Sequence, residues 1–201
     1  MQILHPFTGS VQSYIAELAA ATADLHRPTD GPLCQAKHPL KAHGFYSRTI
    51  IDTTTAFDGL IRIRRYLCAA CRRTVSLLPD FALPYLRSSI AVIALFLVAR
   101  LLRAQTLKAA LPPKTPYQSG QFWLRRFRFE AESLCASLAA IAKPMPAPNF
   151  IQRALHMLES SGWIPAHRFL FAHLRQHMLG WPPSLAPAGR RLTLDSIAHS
   201  G

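Results

Sequence analysis

LIRIRRYLCAACRRTVSL, residues 60–77, is the stretch from which the fold of this chain is best predicted. Residues 60–64 alternate apolar with basic side chains, which is typical of a strand with one buried face. Residues 74–77 predict a second short strand. Between the two strands, Cys68 and Cys71 form a Cys-x-x-Cys pair. The stretch therefore predicts two strands joined by a tight turn that carries two thiols.

A third strand is predicted upstream, at residues 45–51, where aromatic and β-branched side chains are concentrated. Asp58-Gly59 is a typical turn pair and predicts the connection to the strand at residues 60–64. Three short strands between residues 34 and 78 bury little apolar surface. Such a unit needs an additional link for stability.

The cysteines are candidates for that link. A tight turn can bring Cys68 and Cys71 onto one metal ion, and zinc is the usual ion for such a pair. A tetrahedral site needs further ligands from elsewhere in the chain, and Cys34 lies 34 residues before Cys68. The Cys-x-x-Cys partner of Cys34 is missing, because position 31 is glycine.

A histidine close to Cys34 can replace the missing thiolate. We favour His38, since a Cys-x3-His spacing closes easily, and His43 is the alternative. The predicted zinc ligands are therefore Cys34, His38, Cys68 and Cys71. The competing interpretation is a metal-free unit in which the cysteines pack as small apolar residues.

The charge of the chain is concentrated in one segment. The 201 residues include 23 Lys and Arg against 10 Asp and Glu, a formal net charge of +13. Residues 34–128 hold 16 of the basic residues and only three Asp, so they carry the whole surplus. Such a field indicates a polyanionic partner, either nucleic acid or an anionic membrane surface, although a solvated basic surface is the alternative. The scarcity of carboxylates argues against acidic multi-metal catalysis.

After Pro79 the sequence pattern becomes helical. Residues 86–103 predict a buried helix, and the apolar run at residues 90–99 is too short to span a membrane. We interpret His173 and His177 as surface histidines of the last helix, and the tail from Trp181 as irregular. Further helices are predicted at residues 10–25 (N-cap Ser10), 106–111, 118–141 (N-cap Ser119), 149–160 (N-cap Asn149) and from 165 to about 179.

Residues 106–129 have the layout of a helix-turn-helix: a short helix, a proline-rich turn and a second helix. In that motif the start of the second helix reaches base edges in the major groove, while basic side chains hold phosphates. We predict base contacts from Tyr117, Gln118, Ser119 and Gln121, and phosphate contacts from Arg125, Arg126 and Arg128. A basic amphipathic helix within a bundle is the alternative.

Four motifs together resemble a known module. They are HGFYSR (residues 43–48), RRYLCAAC (64–71), LPDF (78–81) and WLRRF (123–127). They resemble the zinc ribbon and helix-turn-helix at the front of bacterial insertion-sequence transposases, and stand-alone transposon-associated relatives. The resemblance covers about residues 31–129, and Gly31 departs from the Cys-Pro-x-Cys opening of the family. It implies bound zinc, double-stranded DNA as partner and an association with a transposase subunit.

The expected fold is α+β, mostly α: a small three-stranded zinc ribbon followed by a helical region with a helix-turn-helix. The expected function is double-stranded DNA binding by a transposon-associated accessory or truncated transposase-like protein. On the ribbon, the predicted phosphate contacts are Arg62, Arg64, Arg72 and Arg73. The alternative is a protein-interaction module that docks a partner such as a catalytic transposase subunit.

We do not expect an enzyme, because the chain shows no nucleophile elbow and no glycine-rich phosphate loop. Four carboxylates follow Phe129, too few for the nuclease domain that such transposases carry. We expect a cytoplasmic, nucleoid-associated protein without a membrane span. The predicted organisation is 1–30 (N-terminal helix and leader), 31–79 (ribbon), 80–142 (helix-turn-helix domain), 143–148 (proline-rich linker) and 149–201 (C-terminal helical pair and tail).

Overall fold

A four-stranded sheet and six helices make up the part of the chain that the computed structural model describes, namely residues 2–5, 7, 9–20, 26–31 and 34–180. The α+β class is confirmed. The predicted tail from Trp181, and residues 21–25 of the predicted first helix, lie outside the described residues. The strands are β1 (Gln2–Leu4), β2 (Lys41–Asp52), β3 (Phe57–Leu67) and β4 (Thr74–Leu78). The helices are α1 (Val11–Ala20), α2 (Ile90–Leu101), α3 (Leu107–Ala110), α4 (Tyr117–Leu138), α5 (Phe150–Ser161) and α6 (Trp163–Leu174).

The sheet has the strand order β1-β4-β3-β2. Strands β2, β3 and β4 form an antiparallel meander, and the cysteine pair lies between β3 and β4 as predicted. Strand β1 pairs with β4 in parallel and makes a fourth strand that the sequence did not indicate. A strand of three residues is too short to show the alternation by which strands are recognised.

The predicted hairpin turn at Asp58-Gly59 is wrong. Asp58 pairs with Ile51 and Gly59 with Ile50, so both residues lie inside β3. The turn falls on residues 53–56, where the Asp52 carboxylate accepts a hydrogen bond from the backbone N–H of Thr54 at 3.0 Å. This Asx turn lengthens both strands and takes precedence over the Asp-Gly signal.

One face of the sheet packs on α1. Ile50, Ile61, Ile63 and Leu78 pack there against Val11, Tyr14 and Phe81. Helix α1 begins after Ser10 as predicted, because the Ser10 hydroxyl accepts the backbone N–H of Ser13 at 3.1 Å. Tyr14 is buried and anchors α1 by donating its hydroxyl to the Arg62 carbonyl at 2.9 Å. Ile15 is 37% exposed, so the packed face of α1 is centred on Val11 and Tyr14.

Below the sheet, helices α2, α4, α5 and α6 share one hydrophobic core. Helix α2 is buried as predicted, and its N-cap is Ser89, whose hydroxyl accepts the backbone N–H of Val92 at 3.3 Å. Helix α4 begins at Tyr117 after Pro116, so the predicted N-cap Ser119 is wrong. Among the helices that are described, none is both long enough and apolar enough to cross a membrane.

A glycine allows α4 to approach its neighbours closely. A Cβ atom at Gly120 would lie 2.7 Å from Leu111 Cδ2 and 3.1 Å from a ring carbon of Phe96. One turn further along α4, Trp123 packs edge-on against Phe96 with ring centroids 5.5 Å apart. The start of α4 is therefore fixed against α2 and the turn after α3.

The C-terminal helices confirm one prediction, the N-cap of α5, and contradict two, the end of the last helix and the exposure of His177. Asn149 is the N-cap of α5, since its side chain accepts the backbone N–H of Gln152 at 2.9 Å, and Gly162 separates α5 from α6. Helix α6 ends at Leu174 rather than near residue 179. The chain then turns back and buries His177, which is therefore not a surface histidine.

Candidate metal centre and nucleic-acid interface

Three cysteines from two separate turns come together at one end of the sheet. The sulfur atoms of Cys34, Cys68 and Cys71 all lie within 4.8 Å of one another. The sulfurs of Cys34 and Cys68 are 3.5 Å apart. Two thiolates on one tetrahedral zinc ion lie roughly 3.7 Å apart, because each Zn–S bond is about 2.3 Å. The spacing therefore fits ligands of a single ion.

The turn between β3 and β4 has a distinct hydrogen-bonding pattern. Cys68 donates its backbone N–H to the Arg73 carbonyl at 3.0 Å, and Arg72 donates to the Cys68 carbonyl at 2.9 Å. Arg72 adopts a left-handed conformation with φ 57°. The turn thus holds Cys68 and Cys71 on the inside, while Arg72 and Arg73 are exposed.

The same pattern is repeated around Cys34. Gly31 donates its backbone N–H to the Ala36 carbonyl at 2.9 Å, and Gln35 donates to the Gly31 carbonyl at 2.7 Å. Gln35 has a φ of 56°, as Arg72 does in the other turn. In this correspondence Cys34 takes the place of Cys71, and Gly31 takes the place of Cys68.

Gly31 therefore occupies the position that corresponds to Cys68 in the other turn. A Cβ atom added to Gly31 would lie 2.7 Å from the Cys34 sulfur and 3.1 Å from the Cys68 sulfur. Any side chain at this position would point into the cysteine cluster. The backbone geometry thus supports the correspondence of Gly31 and Cys34 with Cys68 and Cys71, independently of the sequence spacing.

The structure distinguishes between the two candidate histidines. Nε2 of His38 lies 3.6 Å from the Cys68 sulfur, which is the separation of two ligands on one ion. His43 is exposed on β2. His38 is accordingly the better candidate for the remaining ligand.

Two thiols of the cluster have pKa values that are shifted in opposite directions. The pKa of Cys68 is lowered to about 6, chiefly because the backbone N–H of Cys71 donates to its sulfur. The pKa of Cys71 is raised: the backbone N–H of Arg73 lowers it, but burial and the sulfurs of Cys68 and Cys34 outweigh that effect. One thiolate therefore forms readily and opposes a second, unless a cation balances them.

Beside this cluster, the open face of the hairpin carries interleaved arginine and aromatic side chains. Phe45 pairs across the strands with Arg64, and the neighbouring pair is Ser47 with Arg62. The guanidinium of Arg62 lies 4.2 Å from the centroid of the Phe45 ring, and that of Arg64 lies 4.6 Å from it. Arg64 also lies 5.3 Å from the ring of Tyr66. We call Phe45, Arg62 and Arg64 the hairpin face.

The carboxylates of the basic segment are engaged elsewhere. Asp80 is buried and forms an ion pair with Arg168 of α6. Asp58 lies 2.7 Å from the ammonium of Lys114, and Asp52 accepts hydrogen bonds within its own turn. Between residues 34 and 128, each of the three acidic side chains thus has another partner than the hairpin face.

Helix α4 exposes a polar and basic stripe. Gln118, Gln121, Arg125 and Arg128 are all exposed, and their spacing of three, four and three residues places them on one face of the helix. We call these four residues the α4 face. Trp123 and Phe127 lie on another side of α4 and are buried.

Arg126, the other predicted phosphate contact, lies elsewhere. Its Nε donates to the Leu179 carbonyl at 3.0 Å, and its guanidinium lies 3.3 Å from the Glu130 carboxylate. Its side chain is largely buried. Arg126 therefore holds the segment after α6 against α4, and it is not part of the α4 face.

A cavity with a basic lining was not foreseen. It has a volume of about 540 Å³, and its lining residues come from all four strands of the sheet and from the residues before α2. Its lining includes Arg48, Arg65 and Arg87 together with Tyr46 and Tyr85, and no acidic residue. Arg48 also donates to the Leu83 carbonyl at 2.9 Å, which fixes β2 to the residues before α2. Such a lining favours anions.

The comparison with known proteins found one family model that matches part of the chain. A family model described as a domain of unknown function (DUF6431) matches residues 31–112. The match begins at Gly31 in the candidate metal centre and ends after α3, so it includes the cysteine cluster and the hairpin face. No curated protein matches the chain significantly. No solved structure matches it either.

Proposed function

We propose that this protein binds double-stranded DNA through the hairpin face and the α4 face, with a zinc ion stabilising the turns beside the hairpin. The resemblance of residues 31–129 to DNA-recognition modules of insertion-sequence transposases supports an accessory role with a mobile element. No part of the proposal requires a catalytic step.

The hairpin face carries the proposal. Arginines stacked against an aromatic ring are pre-organised to meet phosphates, because part of their side-chain freedom is already lost. The acidic side chains of the segment are paired elsewhere, so the field of this face is not cancelled by its own carboxylates. Arg72 and Arg73, exposed on the neighbouring turn, extend the same basic region.

Zinc has a structural role in this proposal. The sulfurs of Cys34, Cys68 and Cys71 would be three of its ligands, because they lie within 4.8 Å of one another. His38 lies outside that group of three, but its Nε2 is 3.6 Å from the Cys68 sulfur, so a small movement of its side chain would supply the fourth ligand. An ion held there neutralises the thiolates that otherwise oppose one another's ionisation. It also fixes the two turns relative to each other, and with them the backbone that presents Arg72 and Arg73.

The α4 face would divide its work between phosphates and bases. Arg125 and Arg128 hold phosphates, which fixes orientation without reading sequence. Gln118 and Gln121, nearer the start of the helix, read base edges, and Gln suits adenine. The close packing around Gly120 holds this end of α4 firmly in place.

The test is to measure the binding of the purified chain to a labelled duplex by fluorescence anisotropy, over a range of salt concentrations. If about six phosphates are neutralised, log affinity falls against log salt with a slope of roughly −5. A slope close to zero would refute the electrostatic mechanism.

Charge-matched variants identify the surface. Arg62→Ala with Arg64→Ala is expected to reduce the magnitude of the slope by about two, because two phosphate contacts are lost. Lys108→Ala with Lys143→Ala is the control, since it removes two exposed cations that belong to neither face. Equal effects of both changes would show that only net charge matters. Absence of binding even at low salt would favour the interaction-module function instead.

A further inference from the structure

Two histidines and a glutamate lie together at the opposite end of β4 from the cysteines. His5 follows β1, Glu17 lies on α1, and His26 comes after that helix. Each offers one ligand atom, and these atoms all lie within 4.8 Å of one another. His5 is placed at this end of β4 by a 2.7 Å hydrogen bond from its backbone N–H to the Leu78 carbonyl.

We propose that His5, Glu17 and His26 form a second metal site, which binds a divalent transition-metal ion such as zinc. Two imidazoles and one carboxylate are a donor set that zinc accepts, and three protein ligands leave a position for water. This site differs in chemistry from the cysteine cluster, because it has nitrogen and oxygen donors only.

His5 is the ligand that the fold has prepared. The residue is only 4% exposed, and its buried Nδ1 has no hydrogen-bond partner among the described residues. A buried imidazole nitrogen without a hydrogen-bond partner costs free energy. A metal ion bound to that nitrogen would remove the cost. The ring is held edge-on to Tyr14 at a centroid distance of 5.8 Å. Its backbone is fixed on both sides, because its carbonyl accepts the N–H of Phe7 at 2.8 Å.

Glu17 and His26 complete the site from the solvent side. His26 Nε2 lies 3.3 Å from the Glu17 carboxylate, and the His26 ring is 4.4 Å from the His5 ring, centroid to centroid. Their side chains are 34% and 41% exposed, for His26 and Glu17 respectively, so an ion can enter from water. A hydrogen bond between Glu17 and His26 accounts for that pair alone. A cation accounts for the close approach of all three side chains.

The consequence for the fold is a second link at the end of the sheet without cysteines. An ion on these ligands would join the residue after β1, helix α1 and the chain at His26. Strand β1 has three residues and α1 has ten, so both gain from such a link.

The experiment is a cobalt titration of the full chain in reductant. The wild type is expected to bind two equivalents of Co²⁺, of which only one produces sulfur-to-metal charge-transfer absorption. Glu17→Gln with His26→Gln, both partly exposed positions, should abolish the equivalent without charge transfer and leave the thiolate band intact. Cys71→Ser should do the reverse.

His173→Gln is the matched control, since it removes an exposed histidine outside the cluster. The proposal is overturned if the wild type binds a single equivalent with excess cobalt, or if the Glu17 and His26 variant retains both. His5→Gln provides a second measurement at the buried ligand. Because the readout is metal stoichiometry, failure here leaves the proposed DNA binding untouched, and failure of DNA binding leaves this site untouched.

Discussion

Acidification from about pH 7.5 to about pH 5 is predicted to destabilise the helical core through a pair of buried histidines. His167 Nδ1 lies 3.0 Å from the Asp80 carbonyl, which can only accept, so Nδ1 carries the proton and donates. Nε2 of His167 is then the acceptor for Nδ1–H of His177, at 3.0 Å. The chain of hydrogen bonds requires neutral rings with fixed tautomers.

The magnitude follows from the pKa values. Burial lowers the pKa of His167 to about 4 and, with the neighbouring His167, that of His177 to about 3. In the unfolded chain both rings titrate near 6.5. Between those values the unfolded state binds protons that the folded state does not, so stability falls as the pH falls below about 6.5. At about pH 5 the loss is roughly 2 kcal/mol for each ring and about 4 kcal/mol for the pair.

The assay is urea unfolding followed by tryptophan fluorescence at the two pH values. His177→Gln keeps a donor for His167 Nε2 but does not titrate, so about 2 kcal/mol of the pH-dependent loss should disappear. His173→Gln, at an exposed position, should behave as the wild type. Metal release in acid affects all three proteins alike and cancels in the comparison. An unchanged pH dependence in His177→Gln would refute this explanation.

Three further predictions test other parts of the molecule. Gly31→Cys should supply a fourth thiolate and raise the charge-transfer absorption of the cobalt protein by about a third; unchanged absorption would show that Gly31 is not at a ligand position. Arg125→Ala should weaken binding to all duplexes alike, whereas Gln121→Ala should mainly relax sequence preference, and competition with different duplexes distinguishes these outcomes. Asn149→Ala should lower the free energy of unfolding by about 1 kcal/mol in urea, since it removes the N-cap of α5; no change would mean that the cap bond contributes nothing.

The elements predicted correctly are those with a local signal. The alternation at residues 60–64 located β3, and Ser10 and Asn149 marked the starts of two helices. The Cys-x-x-Cys spacing placed Cys68 and Cys71 together on one turn, because such a turn has few ways to fold. In each case a few neighbouring residues contain the whole physical cause.

The wrong predictions concern residues whose surroundings are set by contacts with residues far away in the sequence. In the sequence, Arg126 is indistinguishable from Arg125 and Arg128. In the structure its side chain is largely buried, because its Nε donates to the carbonyl of Leu179, which follows α6. His177 reads as part of a helix, but α6 ends earlier and the residue is buried against His167. Position along a helix predicts a face, but it does not predict which later segment covers that face.

The second metal cluster illustrates the same limit. Nothing in the sequence indicates this group, because Glu17 is a single carboxylate on a short helix, and its partners His5 and His26 come after β1 and after α1. No spacing rule connects residues 5, 17 and 26. The parallel pairing of β1 with β4 brings them together, and a strand of three residues carries no pattern that would reveal it.

Although position 31 is glycine and not cysteine, the turn around Cys34 has the same backbone pattern as the turn around Cys68. Its backbone has the hydrogen bonds and the left-handed residue seen in the turn around Cys68. Backbone geometry here is thus held by main-chain hydrogen bonds and by the apolar cluster of Leu40, Tyr66 and Val75 beneath, so it does not depend on four thiolates. A glycine is tolerated because it needs no room among the sulfurs, and His38 lies close enough to supply the missing donor. Substitution at a ligand position therefore changes the chemistry of this centre more than the shape of the basic surface beside it.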